Sequence, residues 1–182
     1  MKINTPIASK IMTMLLSIEQ SKLDVKVTIS KESTVTEGSL VNLEVGEKYT
    51  VEDLLYATLL ASSNGSANAL AESIAGDTGK FVEMMNTKAK ALNLKNTQFA
   101  NPSGLYDENQ YTTAEDLAIS IKVALDNPTF NSIFSTSKSL GISYNTTGFR
   151  VSITAARIGR IAFFAPITLI SPSSFFPPRI LY

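Results

Sequence analysis

The stretch that organises the fold runs from residue 51 to residue 75 and reads VEDLLYATLLASSNGSANALAESIA. Thr50 stands just before it, and Thr50 with Asp53 has the spacing of an N-cap pair. Apolar residues follow helical spacing as far as Leu60 and again over 66–75. Between them, residues 62–65 are Ser-Ser-Asn-Gly, types that favour a turn. The sequence therefore predicts two helices joined by a short polar break, from which side chains can point into a cleft.

Upstream of this stretch, the periodicity predicts one helix and two short strands. Residues 10–20 carry apolar side chains at helical spacing, and 25–30 alternate apolar and polar residues as a half-buried strand does. A second strand-like piece lies at 40–45, followed by a turn at Gly46 and Glu47.

Downstream, two more helices are predicted. Asp77 or Thr78 can cap a helix over 80–92, whose apolar stripe is most simply core packing; its members are Phe81, Met84, Met85, Ala89 and Leu92. Residues 101–104, Asn-Pro-Ser-Gly, predict a turn. Thr112 with Glu115 resembles a capping box that opens a helix over 113–125, which Asn127-Pro128 ends.

Composition excludes several kinds of function. Basic and acidic residues both number 16, so no strong net field would recruit nucleic acid. Cysteine and histidine are absent, which excludes disulfides, thiol nucleophiles, Cys/His zinc sites and a Ser-His-Asp triad. Nucleophilic chemistry would need a base other than imidazole, and lysine is the usual substitute.

Residues 6–125 resemble the serine D-Ala-D-Ala carboxypeptidases, the low-molecular-mass penicillin-binding proteins. The matching pieces occur in order: PIASKIMTMLL, TISKES, TEGS, GEKYTVEDLLYATLL, SSNGSANALAESIAG, FVEMMNTKAKALNLKNTQFANPSGL and YTTAEDLA. The resemblance implies an α+β, beta-lactamase/transpeptidase-like fold, with mainly the helical lobe retained and an incomplete antiparallel sheet. It also implies three active-site elements, Ser-x-x-Lys, Ser-x-Asn and Lys-Thr-Gly.

The second element is intact as Ser62-Ser63-Asn64. By the resemblance, Ser62 relays a proton toward the leaving group, and Asn64 binds substrate and helps to orient the lysine. The alternative is that Ser-Ser-Asn-Gly is a polar turn between helices and nothing more.

The first element is altered, because Ser9 and Lys10 are adjacent where the family has two residues between nucleophile and base. Residues three apart share a helix face, whereas adjacent residues point about 100° apart. Ser9 as nucleophile and Lys10 as base are therefore the inherited assignments, yet they should not meet on one regular helix. A literal Ser-x-x-Lys at 135–138 has unrelated surroundings and is interpreted as a solvated segment.

The third element is absent. Thr146-Thr147-Gly148 is the nearest string, but it lacks the lysine and is better interpreted as a turn. We therefore divide the chain into a partial catalytic domain, 1–150, and an irregular hydrophobic tail, 151–182. The tail holds four of the seven prolines and no acidic residue, and it resembles translated out-of-frame sequence. The alternative is a genuine irregular tail.

The resemblance implies a carboxypeptidase that removes the terminal D-alanine of peptidoglycan stem peptides through an acyl-serine, without metal or organic cofactor. Stem peptides and beta-lactams are the implied partners, and the cell envelope is the implied location. The chain shows no signal peptide and no apolar run long enough to span a membrane, so a cytoplasmic location is the expectation for the chain as written. Two alternatives stay open: an inactive truncated remnant or binding module of that family, and a class A beta-lactamase relative.

Overall fold

A computed structural model describes residues 1–34, 41, 43–139, 144–145 and 148–149. In chain order its elements are α1 (Pro6–Gln20), β1 (Lys26–Thr28), α2 (Lys31–Thr34), β2 (Lys48–Thr50), α3 (Val51–Leu60), α4 (Asn64–Ala75), α5 (Thr78–Ala91), α6 (Ala114–Asp126), α7 (Pro128–Ser139), β3 (Tyr144–Asn145) and β4 (Gly148–Phe149). Helices dominate, and β1 pairs with β2 as a short antiparallel sheet. This confirms the expected α+β class with a helical lobe and an incomplete sheet.

The α3–α4 pair forms as the sequence predicts, except that α4 begins at Asn64, two residues earlier than expected. The Thr50 hydroxyl accepts from the Asp53 N–H, and the Asp53 carboxylate accepts from the Thr50 N–H, so the capping box is complete. At the second start, the Ser63 hydroxyl accepts from the Ser66 N–H and caps α4. Each hydroxyl satisfies a backbone donor that a helix end would leave unpaired, which fixes the break between the two helices.

The second strand lies later in the chain than predicted. Residues 48–50 pair with β1, whereas the described part of 40–45 forms no strand. Gly46 adopts φ +88° and donates its N–H to the Ile29 carbonyl, so the chain turns there and pairing begins only afterwards. Val41 and Leu43 are buried in the core from a non-strand segment, which explains their strand-like pattern.

The cap of α6 is shifted by one residue from the prediction. Thr113, not Thr112, caps the helix, and its hydroxyl accepts from the Asp116 N–H. Thr112 instead exchanges both backbone hydrogen bonds with Ile3 in an antiparallel bridge. Extended pairing with the N-terminal segment therefore takes the residue that local sequence would assign to the cap.

Helix α1 lies at the centre of the lobe, since every residue from Ala8 to Ser17 is buried. One side of α1 packs into a cluster with α3, α4 and the sheet, and the other packs against α5. From α5, the buried members of the predicted stripe are Phe81, Met85 and Ala89, which confirms its packing role. A helix with buried residues all round its surface can present its side chains to several elements at once.

The remaining predictions fall near the end of the described chain. Residues 135–138 belong to α7, a helix that the sequence analysis did not predict, and Ser135 is exposed there. Thr146, Thr147 and the whole 151–182 tail lie outside the described residues. Among the helices in the described ranges, none has the length and apolar character needed to cross a bilayer.

Candidate active site

The centre of the candidate site is the ammonium group of Lys10, on the first half of α1. Its Nζ donates to Asn64 Oδ1 at 2.8 Å and to the Ser103 carbonyl oxygen at 2.6 Å. Lys10 is 7% exposed, and burial lowers the pKa of its side chain. A lysine with a lowered pKa releases its proton more readily, which suits a general base.

Asn64 reaches the lysine because the break between α3 and α4 aims it there. Ser62 adopts φ +51°, a left-handed conformation that is unusual for a residue other than glycine. The chain thereby turns at the break, and α4 begins with Asn64 buried against α1. Ser62 itself is exposed beside the break. Strained residues of this kind cluster at functional sites, so the conformation of Ser62 is itself a pointer to a site.

A turn over residues 101–104 forms the other side of the lysine's surroundings. Asn101 Oδ1 accepts from the Gly104 N–H and the Ser103 hydroxyl, which shapes the turn. The Pro102 carbonyl accepts from the Thr13 hydroxyl on α1 at 2.9 Å. This second contact with α1 holds the turn beside Lys10 and positions the Ser103 carbonyl toward the ammonium group.

Glycine is required in that turn for two reasons. Gly104 has φ +80°, and a Cβ there would lie 2.5 Å from the Pro6 Cα. The turn therefore rests directly on the first turn of α1.

Ser9 does not join Lys10. Its side chain is fully buried, and its hydroxyl donates to Gln110 Oε1 at 3.1 Å. The two side chains leave α1 in different directions, as adjacent residues on a helix must. Of the four predicted site residues, the structure brings Lys10 and Asn64 into contact, leaves Ser62 exposed at the break, and directs Ser9 elsewhere.

Two participants were missed by the sequence analysis. Ser103 contributes a backbone carbonyl, which carries no residue-type signal beyond the turn composition around it. Gln110 is 5% exposed and accepts from Ser9, although it lies in a polar stretch that is typical of a surface loop. Isolated pairings such as Gln98 with Tyr111 hold that stretch in place, and they depend on residues distant in sequence from the site.

Comparison with known proteins identifies the family of the chain. The family model for D-alanyl-D-alanine carboxypeptidase matches residues 2–157. The D-alanyl-D-alanine carboxypeptidase DacF of Bacillus subtilis is 44% identical over 122 residues, which cover 64% of this chain and 31% of the relative. The chain thus spans about a third of that relative's length.

Solved structures give the same result. The D-alanyl-D-alanine carboxypeptidase of Mycobacterium tuberculosis superposes with a TM-score of 0.69 and 30% identity, over 73% of this chain and 51% of that one. Penicillin binding protein 6B of Escherichia coli has a TM-score of 0.69 and 27% identity, over 80% of this chain and 49% of that one. Family model, sequence relatives and fold agree, and the chain belongs to the D-alanyl-D-alanine carboxypeptidase family.

Proposed function

We propose that this chain carries the site of a serine-type D-Ala-D-Ala carboxypeptidase that removes the terminal D-alanine from peptidoglycan stem peptides. One observation carries the proposal: Lys10 Nζ lies 2.8 Å from Asn64 Oδ1. That contact joins the lysine of the first sequence element to the asparagine of the second, across a separation of 54 residues.

In the proposed reaction, a serine hydroxyl attacks the carbonyl carbon between the two D-alanines while Lys10 takes its proton. The C–N bond then breaks, the leaving nitrogen gains a proton through Ser62, and D-alanine departs. Water hydrolyses the resulting acyl-serine. Asn64 binds the peptide, and Ser9 is the hydroxyl that sequence order assigns as nucleophile. A lysine base needs no metal or organic cofactor. Beta-lactams as ligands, and action in the cell envelope, belong to the same proposal.

A second candidate is a module that binds stem peptides without acylation. The observation that favours it is the side chain of Ser9, which is fully buried and hydrogen-bonded to Gln110. A nucleophile must reach substrate, and a buried hydroxyl turned away from its base cannot begin the reaction.

The test is to incubate the full chain with a fluorescent penicillin and to map the adduct by mass spectrometry. The carboxypeptidase proposal expects stoichiometric label that Lys10→Met abolishes. Binding of a stem peptide ending in D-Ala-D-Ala is measured in parallel by fluorescence anisotropy, with the same peptide ending in L-Ala-L-Ala as control. Selective binding without label would support the second candidate. Neither label nor selective binding, on chain that circular dichroism shows to be folded, would contradict both.

A further inference from the structure

On the face of α1 that carries Lys10, the exposed position near the start of the helix is occupied by Ile7. Residues three apart on a helix are neighbours on one face. Three residues before Lys10 is Ile7, the second residue of α1. Ile7 is 53% exposed, while Lys10 is 7% exposed. The face therefore runs from a buried lysine to an isoleucine at the surface.

A tight contact locates this first turn of α1 beside the lysine's other partner. The backbone of Pro6, which precedes Ile7, lies close enough to Gly104 that a Cβ on Gly104 would meet the Pro6 oxygen at 2.6 Å. The neighbouring Ser103 carbonyl accepts from Lys10 Nζ. Ile7 therefore directly follows the residue that contacts the turn holding Lys10, and its side chain is exposed.

Ser9 has a structural role that accounts for its burial. Gln110, which accepts from Ser9, also donates from Nε2 to the Leu105 carbonyl at 3.4 Å and to Asn4 Oδ1 at 3.3 Å. Ser9 is therefore part of a set of hydrogen bonds that attaches the segment around 105–110 to α1. A hydroxyl used in this way is not free to attack a substrate.

We propose that position 7 of α1, not Ser9, is where a nucleophile faces Lys10 in this chain, and that Ile7 fills this position with an apolar side chain. The lysine half of the site is thus complete and its hydroxyl half is missing. A hydroxyl or thiol placed at position 7 gains an adjacent base, whereas one at position 9 does not. The inference rests on the family site of the proposed function but replaces Ser9 as its nucleophile, so it expects, as the second candidate does, no acylation of the wild-type chain. Its beta-lactam test depends on that family site; its thiol test does not.

The thiol test uses the absence of cysteine from the chain, so that a single introduced cysteine reports alone. Ile7→Cys is compared with Ser9→Cys and with Val45→Cys, an exposed control at a residue 62% exposed. The rate of alkylation by iodoacetamide is measured against pH. In the reaction the thiolate sulfur bonds to the methylene carbon, and iodide leaves. The proton lost from the thiol passes to Lys10 or to solvent.

We expect Ile7→Cys to titrate about one pH unit below Val45→Cys, because a neighbouring cation lowers a thiol pKa by about that much. Ser9→Cys should be the slowest of the three. The helix N-terminus also favours a thiolate, so its effect must be distinguished from that of the lysine. Adding Lys10→Met to Ile7→Cys removes the lysine charge alone and should raise the titration midpoint again. An Ile7→Cys midpoint equal to that of Val45→Cys would overturn the proposal without any substitution of the buried lysine.

The beta-lactam test uses Ile7→Ser, which restores a serine three residues before the lysine. The introduced hydroxyl attacks the lactam carbonyl carbon, the lactam C–N bond opens, and the proton passes through Lys10 to the ring nitrogen. Fluorescent penicillin should label Ile7→Ser at position 7, and wild type should stay unlabelled. A wild-type adduct on Ser9 would overturn the inference while supporting the proposed function. A low thiol midpoint at position 7 without a penicillin adduct would support the inference and contradict the proposed function.

Discussion

Two adjacent residues of α1, Lys10 at the lysine end of the candidate site and Ser9 at the hydroxyl end, have different surroundings. At the lysine end, Lys10 hydrogen-bonds Asn64 from the α3–α4 break and the carbonyl of Ser103 from the 101–104 turn. At the hydroxyl end, Ser9 is buried against Gln110, and Ile7 occupies the exposed position on the face of the lysine.

The difference shows how a helix converts sequence position into direction. Successive residues of a helix point about 100° apart. Lys10 can therefore contact Asn64 and Ser103 while the adjacent Ser9 points toward Gln110 on another side of α1. The two positions therefore differ in their partners: Lys10 hydrogen-bonds Asn64 and the Ser103 carbonyl, whereas Ser9 hydrogen-bonds Gln110.

The largest effect should follow from separating the 101–104 turn from α1. Gly104→Ala places a Cβ 2.5 Å from the Pro6 Cα at a residue with φ +80°. We expect the free energy of unfolding to fall by about 3 kcal/mol, from strain at positive φ and from overpacking together. Urea unfolding followed by circular dichroism measures it.

The matched control is Gly76→Ala, since Gly76 has φ +86° but a Cβ at that residue would have no atom within 4 Å. It should lose about 1 kcal/mol, from backbone strain alone. Equal losses for the two glycines would show that the 101–104 turn is not packed tightly against α1, which would contradict its place beside Lys10.

A smaller effect compares the two ends directly. Asn64→Ala removes the partner of a charged donor and should cost about 2 kcal/mol of unfolding free energy. Ser9→Ala removes a neutral hydrogen bond to Gln110 and should cost about 1 kcal/mol. The same urea titrations apply. A larger loss for Ser9→Ala would reverse the comparison, making the hydroxyl end the principal structural element.

The smallest effect is the dependence of stability on pH. Burial lowers the pKa of Lys10 in the folded chain, while the unfolded chain keeps an ordinary lysine pKa. At a pH between the folded and the unfolded pKa of Lys10, the unfolded chain binds more protons than the folded chain. Burial of Lys10 therefore lowers the free energy of unfolding at low pH, and this loss disappears as the pH rises toward the unfolded pKa.

Unfolding of wild type and Lys10→Met at pH 7 and at pH 10 isolates this contribution. The difference in stability between the two chains should move in favour of wild type at the higher pH. A difference that is independent of pH would mean that burial does not perturb the lysine.

Local sequence was sufficient where the determining groups are neighbours in the chain. The Thr50–Asp53 capping box and the Asp77 cap form as types and spacing predict, because cap hydrogen bonds span three residues. Residues 62–64 are likewise arranged locally, since Ser62 and Ser63 form the break and Asn64 begins α4. The shift of the α6 cap to Thr113 marks the limit, because the long-range pairing of Thr112 with Ile3 decided it.

Residue types and their spacing were therefore enough to predict the family, the helical lobe, and the conflict between adjacent Ser9 and Lys10. How that conflict is resolved depends on contacts between distant parts of the chain. The direction of each side chain depends on partners 54 to 101 residues away, on Asn64 for the lysine and on Gln110 for the serine. Which face of α1 turns toward which partner follows from the packing of α1 against the rest of the lobe, and no local pattern encodes it.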